Sequence, residues 1–457
     1  MLKDEKLRWL LDRGCNVASF VSMANGEVRF HGIPGVPQGY RFASPDEAIR
    51  RLFAYVRGTV LNIRSFTETS PDGNPFRMEI GNVEEIIAQV KEYMEQGLIV
   101  IVNENVDIND GGFSGVLYGD LMEGAPGDTP RCVDKPGCMR LPRKIGFDLI
   151  RILYEFHFHM PFTKADRVEF SVHPFKVGYW SEPQIIWQAD ESSGAHWPSA
   201  PSIQWPNRMS DRMGDKVYGL LMAALHGFPV PRTLASPRRM PPFTFGTAIY
   251  SGEPKWWRTA PVRFSPGKFT TRRCVAWPDK YAIVSKEDPK GTDIAADFVQ
   301  DGIRAEYSGA AALGPEGGYI IEGCVLQGDE FMTGDRPPES LPDVVRREVS
   351  FLFERLKETF GDCNFEWVFD GKQAWPVQLH LGRIESFQDV IFPGEAPEWM
   401  EFELPDKKGL EALREFLPQA KSRGVGLNLI GDVGLTGHIA QLLRGEKIPS
   451  RLIPKAK

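Results

Sequence analysis

Two hydrophobic periods alternate along most of this chain, and their interleaving constrains the fold more than any single motif. Apolar residues fall three and four apart in EKLRWLLDRG (5–14), SPDEAIRRLFAYVRG (44–58), NVEEIIAQVKEYMEQG (82–97), DKVYGLLMAALHG (215–227), VVRREVSFLFERLKETFG (344–361) and KKGLEALREFLPQAKSRG (407–424), which predicts amphipathic helices. Each closes on glycine, the residue suited to the positive φ of a helix end. Between them lie strand-like runs: GTVLNIRSF (58–66), GLIVIVNENV (97–106), RVEFSVHPF (167–175), PQIIWQ (183–188), KYAIVSK (280–286), GYIIEGCV (318–325), NFEWVFD (364–370) and QAWPVQLH (373–380). Helices and strands in this mixed order predict an α/β or α+β chain, not a repeat array.

Proline clusters at 193–210 and 392–399 divide the chain into blocks of 1–210, 211–395 and 396–457. The net charge of −7 argues against a nucleic-acid surface, which needs clustered positive charge. Six scattered cysteines follow no disulfide framework and point to a reducing, cytoplasmic setting. Cys132 and Cys138 have no second pair to complete a zinc site and read as loop residues. The charged, helix-patterned N-terminus is unlike a signal peptide, and apolar runs such as GLIVIV (97–102) are too short to span a membrane. A homo-oligomer is compatible with this composition.

Four segments recur in order. LRWLLDRGCNVASF, GGFSGVLYGD, RVEFSVHP and PQIIWQ in the first block match VYGLLMAALHGFPVP, AEYSGAAAL, NFEWVFDG and AWPVQLH in the second. This pattern predicts an internal duplication, with Glu169 and Gln188 as counterparts of Glu366 and Gln378.

Lys216 opens a helix that ends on glycine and leads into Pro-Val-Pro. That unit is either plain α/β punctuation or a cleft lysine suited to phosphate oxygens. In CNFEWVFDGKQAWPVQLH, Asp370-Gly371 is the turn of a hairpin that brings Glu366 towards Gln378 and His380. A carboxylate and an amide oxygen there are hard ligands for Mg²⁺, and the plain alternative is a solvated edge hairpin. Lys286 sits at an expected strand end before a Pro/Gly loop, Glu322 at the end of a buried strand, and Arg64 at the end of LNIRSF, where a guanidinium can clamp phosphate. His157 and His159 are two apart and lack a third metal ligand, while His173 and His226 read as structural or surface residues. Trp256-Trp257 reads as a core pair, with base stacking as the alternative. No serine-hydrolase elbow, zincin helix or Rossmann fingerprint opens a competing chemistry.

Together these segments resemble the ATP-grasp superfamily. DKVYGLLMAALHGFPVPRT is similar to its opening helix and Pro-Val-Pro turn in pyruvate phosphate dikinase and phosphoenolpyruvate synthase. FEWVFDGKQAWPVQLH resembles the closing hairpin whose Glu and Gln hold magnesium, and LNIRSF resembles the segment whose arginine contacts nucleotide phosphates. The C-terminal HIAQLLRGEKIP resembles the phosphohistidine loop of the same group's swivelling domain, with Ala440, Arg444, Ile448 and Pro449 at the family's spacings from His438. Gly437 stands where the family has Ser or Thr, Asp432-Val433-Gly434 replaces its glycine pair, and no phosphoenolpyruvate-binding barrel follows. The Arg64 segment also precedes the Lys216 segment, the reverse of the family order.

The resemblance implies an ATP-grasp core, duplicated in the fold reading above, with a small swivel-like α/β domain at 396–457. It implies ATP and Mg²⁺ near Lys216, Lys286, Glu322, Arg64, Glu366 and Gln378, with Glu366 and Gln378 as metal ligands. His438 would carry the phosphoryl group, aided by Arg444, to a small-molecule or other acceptor held by the first block. The alternatives are an ATP-grasp carboxylate–amine ligase working through an acyl-phosphate, and a nucleotide-binding protein with a dead site.

Overall fold

The computed structural model describes residues 3–37, 39–56, 60–67, 75–129, 135–158, 166–191, 200–263, 269, 271–273 and 275–455. They form two compact units, Met1–Ile203 with Arg239–Pro241, and Gln204–Arg238 with Pro242–Lys457.

In the first unit α1 (Lys3–Leu11) leads into β1 (Phe20–Ala24) and β2 (Glu27–His31). Next come α2 (Pro45–Tyr55), β3 (Leu61–Phe66), β4 (Phe76–Ile80), α3 (Val83–Glu95) and β5 (Ile99–Glu104). These strands pair antiparallel in the order β2-β1-β5-β3-β4. The two covering helices start where the sequence caps them. Ser44 Oγ accepts from Glu47 N (3.2 Å) ahead of Pro45, and Asn82 Oδ1 accepts from Glu84 N (2.9 Å). Their apolar stripes, Ile49 and Leu52 on α2 and Ile86 and Val90 on α3, close on Val21, Ile63 and Val102 of the sheet. Burial of each such side chain contributes roughly 1.5–3 kcal/mol.

A second antiparallel sheet follows: β6 (Phe113–Tyr118), β7 (Leu121–Ala125), β8 (Met139–Pro142), β9 (Asp166–Val177) and β10 (Glu182–Glu191), with α4 (Arg143–Tyr154) between β8 and β9. Its order is β10-β9-β6-β7-β8.

The second unit begins with α5 (Ser210–Met213), α6 (Asp215–Leu225), β11 (Thr233–Pro237), β12 (Phe243–Phe245), β13 (Trp256–Pro261), β14 (Thr271–Arg273), α7 (Trp277–Glu287) and β15 (Ile294–Gln300). The sheet order is β12-β11-β15-β13-β14, the same permutation as in the first unit. Then come β16 (Tyr307–Leu313), β17 (Tyr319–Val325), α8 (Asp329–Thr333), α9 (Asp343–Phe360), β18 (Cys363–Phe369) and β19 (Ala374–Leu381), ordered β17-β16-β18-β19.

Register makes the equivalence residue-specific. Val116 pairs with Glu123 on one side and Glu169 on the other, and Ala310 pairs likewise with Glu322 and Glu366. Gln188 faces Glu169 as Gln378 faces Glu366, beside a bulge in both hairpins. A glycine rung, Gly115 with Gly124 and Gly309 with Gly323, recurs at the same place. A β-carbon on any of the four would collide with a backbone carbonyl of the facing strand. The recurring segments of the sequence are therefore a true duplication of fold.

The chain ends in a smaller layer of β20 (Val390–Phe392), β21 (Trp399–Glu403), α10 (Gly409–Arg423), β22 (Gly426–Ile430), α11 (His438–Gly445) and β23 (Ser450–Ile453). β21, β22 and β23 run parallel, each joined to the next by a helix as parallel strands require. Leu404, Leu413, Leu427, Leu429, Ile439 and Leu443 fill its core.

One expected strand is a helix: KYAIVSK lies in α7. Pro278 in the first turn, followed by Asp279, starts a helix that the local β-branched residues do not override. Among the described residues no helix is long and apolar enough to cross a membrane.

Candidate functional site

Side chains of opposite charge converge in the second unit where α6, β13, β18, β19 and α11 meet. Gly219 lets α6 lie directly on β19, since a β-carbon there would strike the Leu379 carbonyl. Gly214, at φ +80°, turns the chain into α6, where a β-carbon would lie 2.6 Å from Ala260 Cβ of β13. These two contacts fix the first turn of α6 and hence Lys216.

Lys216 makes no hydrogen bond or ion pair with any described residue. Burial holds its ammonium down to about 8, with Glu366 pulling upward and Arg258 reinforcing the fall. Arg258, on β13, places Nη1 3.5 Å from Glu366 Oε2 and donates weakly to the Val377 carbonyl (3.4 Å). Its buried Nε has no hydrogen-bond partner among the described residues. From α11, His438 Nε2 stands 3.8 Å from Glu366 Oε1. Burial alone would raise the Glu366 carboxyl, but His438, Arg258 and Lys216 together hold it at about 2. The carboxylate is ionised at any physiological pH.

Across the hairpin, Gln378 Nε2 donates to His380 Nε2 (2.8 Å). The imidazole is a competent acceptor because burial, then the Lys216 charge, lower it to about 4 and keep it neutral. With its amide nitrogen so engaged, Gln378 Oε1 is left to face elsewhere. Among the described residues no three His, Cys, Asp or Glu side chains gather into a metal site.

The C-terminal loop is tied down beside this cluster. Glu322 accepts from Leu435 N (3.1 Å), Thr436 N (2.8 Å) and Thr436 Oγ1 (2.7 Å). Arg444 Nη1 donates to the Leu435 carbonyl and to Ser386 Oγ, both at 2.7 Å. Burial lowers the Arg444 guanidinium to about 10, opposed by Glu385 and Glu322, so it stays charged. Both residues hold the segment that presents His438. Gly437 precedes it in extended conformation, and α11 starts with no side-chain cap.

A cavity of about 50 Å³ is lined by Trp256, Arg258, Asp301, Asp329, Glu366 and Trp367, among others. Trp257 is core, its Nε1 donating to Asp297 Oδ1 (2.9 Å), while Trp256 is half-buried on the cavity wall. Of the pair, Trp257 is thus core as expected, while Trp256 is not fully buried.

The structure brings Lys216, Glu366, Gln378 and His438 together, with Glu322 and Arg444 supporting the loop. Lys286 lies elsewhere, exposed in the last turn of α7, with no hydrogen bond or ion pair to the cluster. Arg64 belongs to the first unit, its guanidinium 5.4 Å from the Phe76 ring. Register explains why Arg64 stood out. It pairs with Ile101 of β5 as Arg258 pairs with Phe298 of β15, so the two arginines are counterparts. The apparent reversal of segment order is a consequence of duplication, each unit carrying its own arginine. Arg258 escaped sequence reading, though WWRTA repeats the apolar-Arg-hydroxyl pattern of NIRSF.

In the first unit the equivalent acids already face arginine. Arg167 Nη1 lies 2.7 Å from Glu169 Oε1, and Arg140 Nε lies 3.2 Å from Glu123 Oε2. His173 is a buried tie, its Nδ1 2.8 Å from Asp110 Oδ2 and its Nε2 2.8 Å from the fully buried Ser171 Oγ. His226 Nδ1 donates to the Met222 carbonyl (2.8 Å). His157 is exposed, while His159, Cys132 and Cys274 lie outside the described residues.

No protein-family profile and no curated protein sequence matches the chain. Among solved structures it is similar to D-alanine–D-alanine ligase from Helicobacter pylori, with TM-score 0.26, 8% identity, and 37% of this chain and 51% of the ligase covered. It is also similar to the Bacillus anthracis D-alanine–D-alanine ligase complexed with ATP, with TM-score 0.21, 8% identity, and 42% and 54% covered. The chain thus spans about half the length of the ligases it matches.

Proposed function

We propose that this chain is an ATP-dependent phosphotransferase of ATP-grasp type, that its second unit performs the chemistry, and that His438 carries the phosphoryl group. The observation that carries this reading is the approach of His438 Nε2 to within 3.8 Å of Glu366 Oε1, beside Lys216 and Arg258. A histidine that opens a helix beside a carboxylate flanked by cations suits nucleophilic attack on a polyphosphate bound at those cations. Lys216 and the unpaired Arg258 Nε supply positive charge for phosphate oxygens. Trp256 offers a wall for the base.

Glu366 and Gln378 Oε1 fit Mg²⁺ as two hard ligands of a shell otherwise completed by phosphate oxygens and water. Held there, the ion would neutralise charge on the transferring group. His438 Nε2 forms an N–P bond to the β-phosphorus as the bridging P–O bond breaks and AMP leaves with the electron pair. Water then attacks the γ-phosphorus of the pyrophosphoryl-histidine, the Pβ–O–Pγ bridge breaks and inorganic phosphate leaves. One phosphoryl remains on the ring, where the N-terminus of α11 favours its negative charge. An acceptor hydroxyl then takes the phosphoryl group, and its proton goes to the imidazole. The acceptor is a small molecule or another group this reading does not name.

The test uses ATP labelled separately at the β and γ positions, with Mg²⁺, on wild type and His438→Ala. The expected result is acid-labile β-label on wild type only, with release of AMP. ADP release with no label on the protein in either variant would replace this reading with the carboxylate–amine ligase. Nucleotide binding without turnover would replace it with a silent binding protein.

A further inference from the structure

Two polar rungs share one face of the β18–β19 hairpin: Glu366 opposite Gln378, and Asn364 opposite His380. Gln378 and His380 are two apart on β19 and are therefore neighbours on that face. Gln378 Nε2 lies 2.8 Å from His380 Nε2. An amide nitrogen only donates, so the ring Nε2 is the acceptor and the ring proton belongs to Nδ1. The hydrogen bond itself sets the tautomer.

The same bond decides which way the amide faces. A glutamine amide has two nearly isosteric orientations, related by exchange of oxygen and nitrogen, and only the oxygen ligates a hard cation. Turned the other way, its NH₂ would point towards its cross-strand neighbour and donate to the Glu366 carboxylate. The two oxygen ligands would then be engaged with each other. With the nitrogen on the imidazole, Oε1 receives no hydrogen bond from any described residue, although Gln378 is only 5% exposed. Gln378, Glu366 and His380 border, among others, a cavity of about 20 Å³. That is room for one water or one bare ion.

We propose that His380 is a positioning residue for the metal: its ring lone pair holds the Gln378 nitrogen and so turns Oε1, with the Glu366 carboxylate, towards the ion. This rests on the reading of Glu366 and Gln378 as the Mg²⁺ pair, and the test separates the two.

The first measurement is made on the metal-free full chain labelled with ¹⁵N-histidine, the His380 signals being those lost in His380→Gln. The expected spectrum shows Nε2 unprotonated and Nδ1 protonated. A proton on Nε2 would mean a reversed amide and would overturn the proposal without any variant having to fold. The second is calorimetric titration of Mg²⁺ into the full chain saturated with a non-hydrolysable ATP analogue. His380→Leu should bind Mg²⁺ at least about tenfold more weakly than wild type, the usual scale for losing a group that orients a ligand. His380→Gln, which offers a carbonyl oxygen at similar reach, should recover to within about threefold of wild type. Gln378→Ala should lose at least as much as His380→Leu, and the double variant no more than Gln378→Ala, because the ring acts only through the amide. Wild-type Mg²⁺ affinity in His380→Leu, no recovery in His380→Gln, or losses that add in the double variant would overturn the proposal alone. Wild-type affinity in Gln378→Ala would overturn the metal reading and the proposal with it.

Discussion

His438 Nε2 and Glu366 Oε1 stand 3.8 Å apart, and Arg258 Nη1 reaches the other oxygen of the same carboxylate at 3.5 Å. One anion thus serves two neighbours and also the charge of Lys216. Removing it should lower two measurements and raise a third. Glu366→Gln should cut Mg²⁺-dependent turnover by at least about 100-fold, through loss of a ligand and misplacement of His438. It should also lower the stability of the free protein by on the order of 3 kcal/mol, because buried cations lose their counter-ion. Metal-free phosphate or sulfate should then bind the variant more tightly than wild type and restore its melting temperature. Equal anion affinity in the two proteins would contradict convergence of the cations on Glu366.

Lys216 gives the site a pH dependence of definite sign. Its ammonium, held down to about 8 chiefly by burial, is charged below that pH and loses its charge as pH rises through it. Metal-free ATP affinity should therefore be flat below pH 8 and fall by up to tenfold per unit above it. Stability moves the other way. The unfolded lysine titrates near 10.5, so between about 8 and 10.5 the unfolded chain binds more protons, and this group's contribution to stability rises with pH. Lys216→Arg keeps its charge throughout and should show no break near pH 8 in ATP titrations. A wild-type profile without a break would remove Lys216 from phosphate binding.

What the sequence disclosed depended on how local the determining contact was. Asp370-Gly371 made the hairpin legible, but regular pairing from that turn would set Glu366 opposite Val377. The bulge between Glu366 and Trp367, which no local pattern announces, brings Gln378 opposite Glu366 instead. Lys216 was legible as the cation in the first turn of a helix that a glycine ends. His438 was found through its spacing to Arg444 and Pro449, but its neighbour was not, since Glu366 lies on a strand of another layer. Arg258 was hidden because only pairing with β15 aligns WWRTA with NIRSF. Glu322 read as a strand-end residue facing a nucleotide, whereas its partners are the amides of Leu435 and Thr436, and no local pattern encodes so distant a contact. Lys286 failed for a different reason: β-branched residues suggested a strand where Pro278 had already started a helix.

The hold of Glu322 on the loop can be measured separately from chemistry. Three donors meet this one side chain, two of them backbone amides. Glu322→Ala leaves them unpaired and should destabilise the protein by roughly 2–4 kcal/mol. Glu322→Gln, which keeps one carbonyl oxygen, should cost about half as much. Hydrogen exchange at Leu435 and Thr436 should accelerate in the same order, while exchange in the first unit stays as in wild type. Unchanged protection of both amides in Glu322→Ala would show that the loop is held by Arg444 and packing instead.

Duplication raises the question of which unit carries the proposed chemistry, and the arginines favour the second. In the first unit Glu169 already faces Arg167 at 2.7 Å, with side chains 5% and 14% exposed, so a divalent cation would have to displace a buried guanidinium. In the second unit the counterpart of Arg167 is Asn364, which carries no charge, and Glu366 meets only the longer contacts to Arg258 (3.5 Å) and His438 (3.8 Å). Glu169→Gln should therefore leave turnover within about twofold of wild type. It should nonetheless lower stability by on the order of 3 kcal/mol, because buried Arg167 loses an ion-pair partner. Calorimetric titration with Mg²⁺ and a non-hydrolysable ATP analogue should give one site per chain in wild type and in Glu169→Gln, and none in Glu366→Gln. A tenfold loss of turnover in Glu169→Gln would move the chemistry, or part of it, into the first unit.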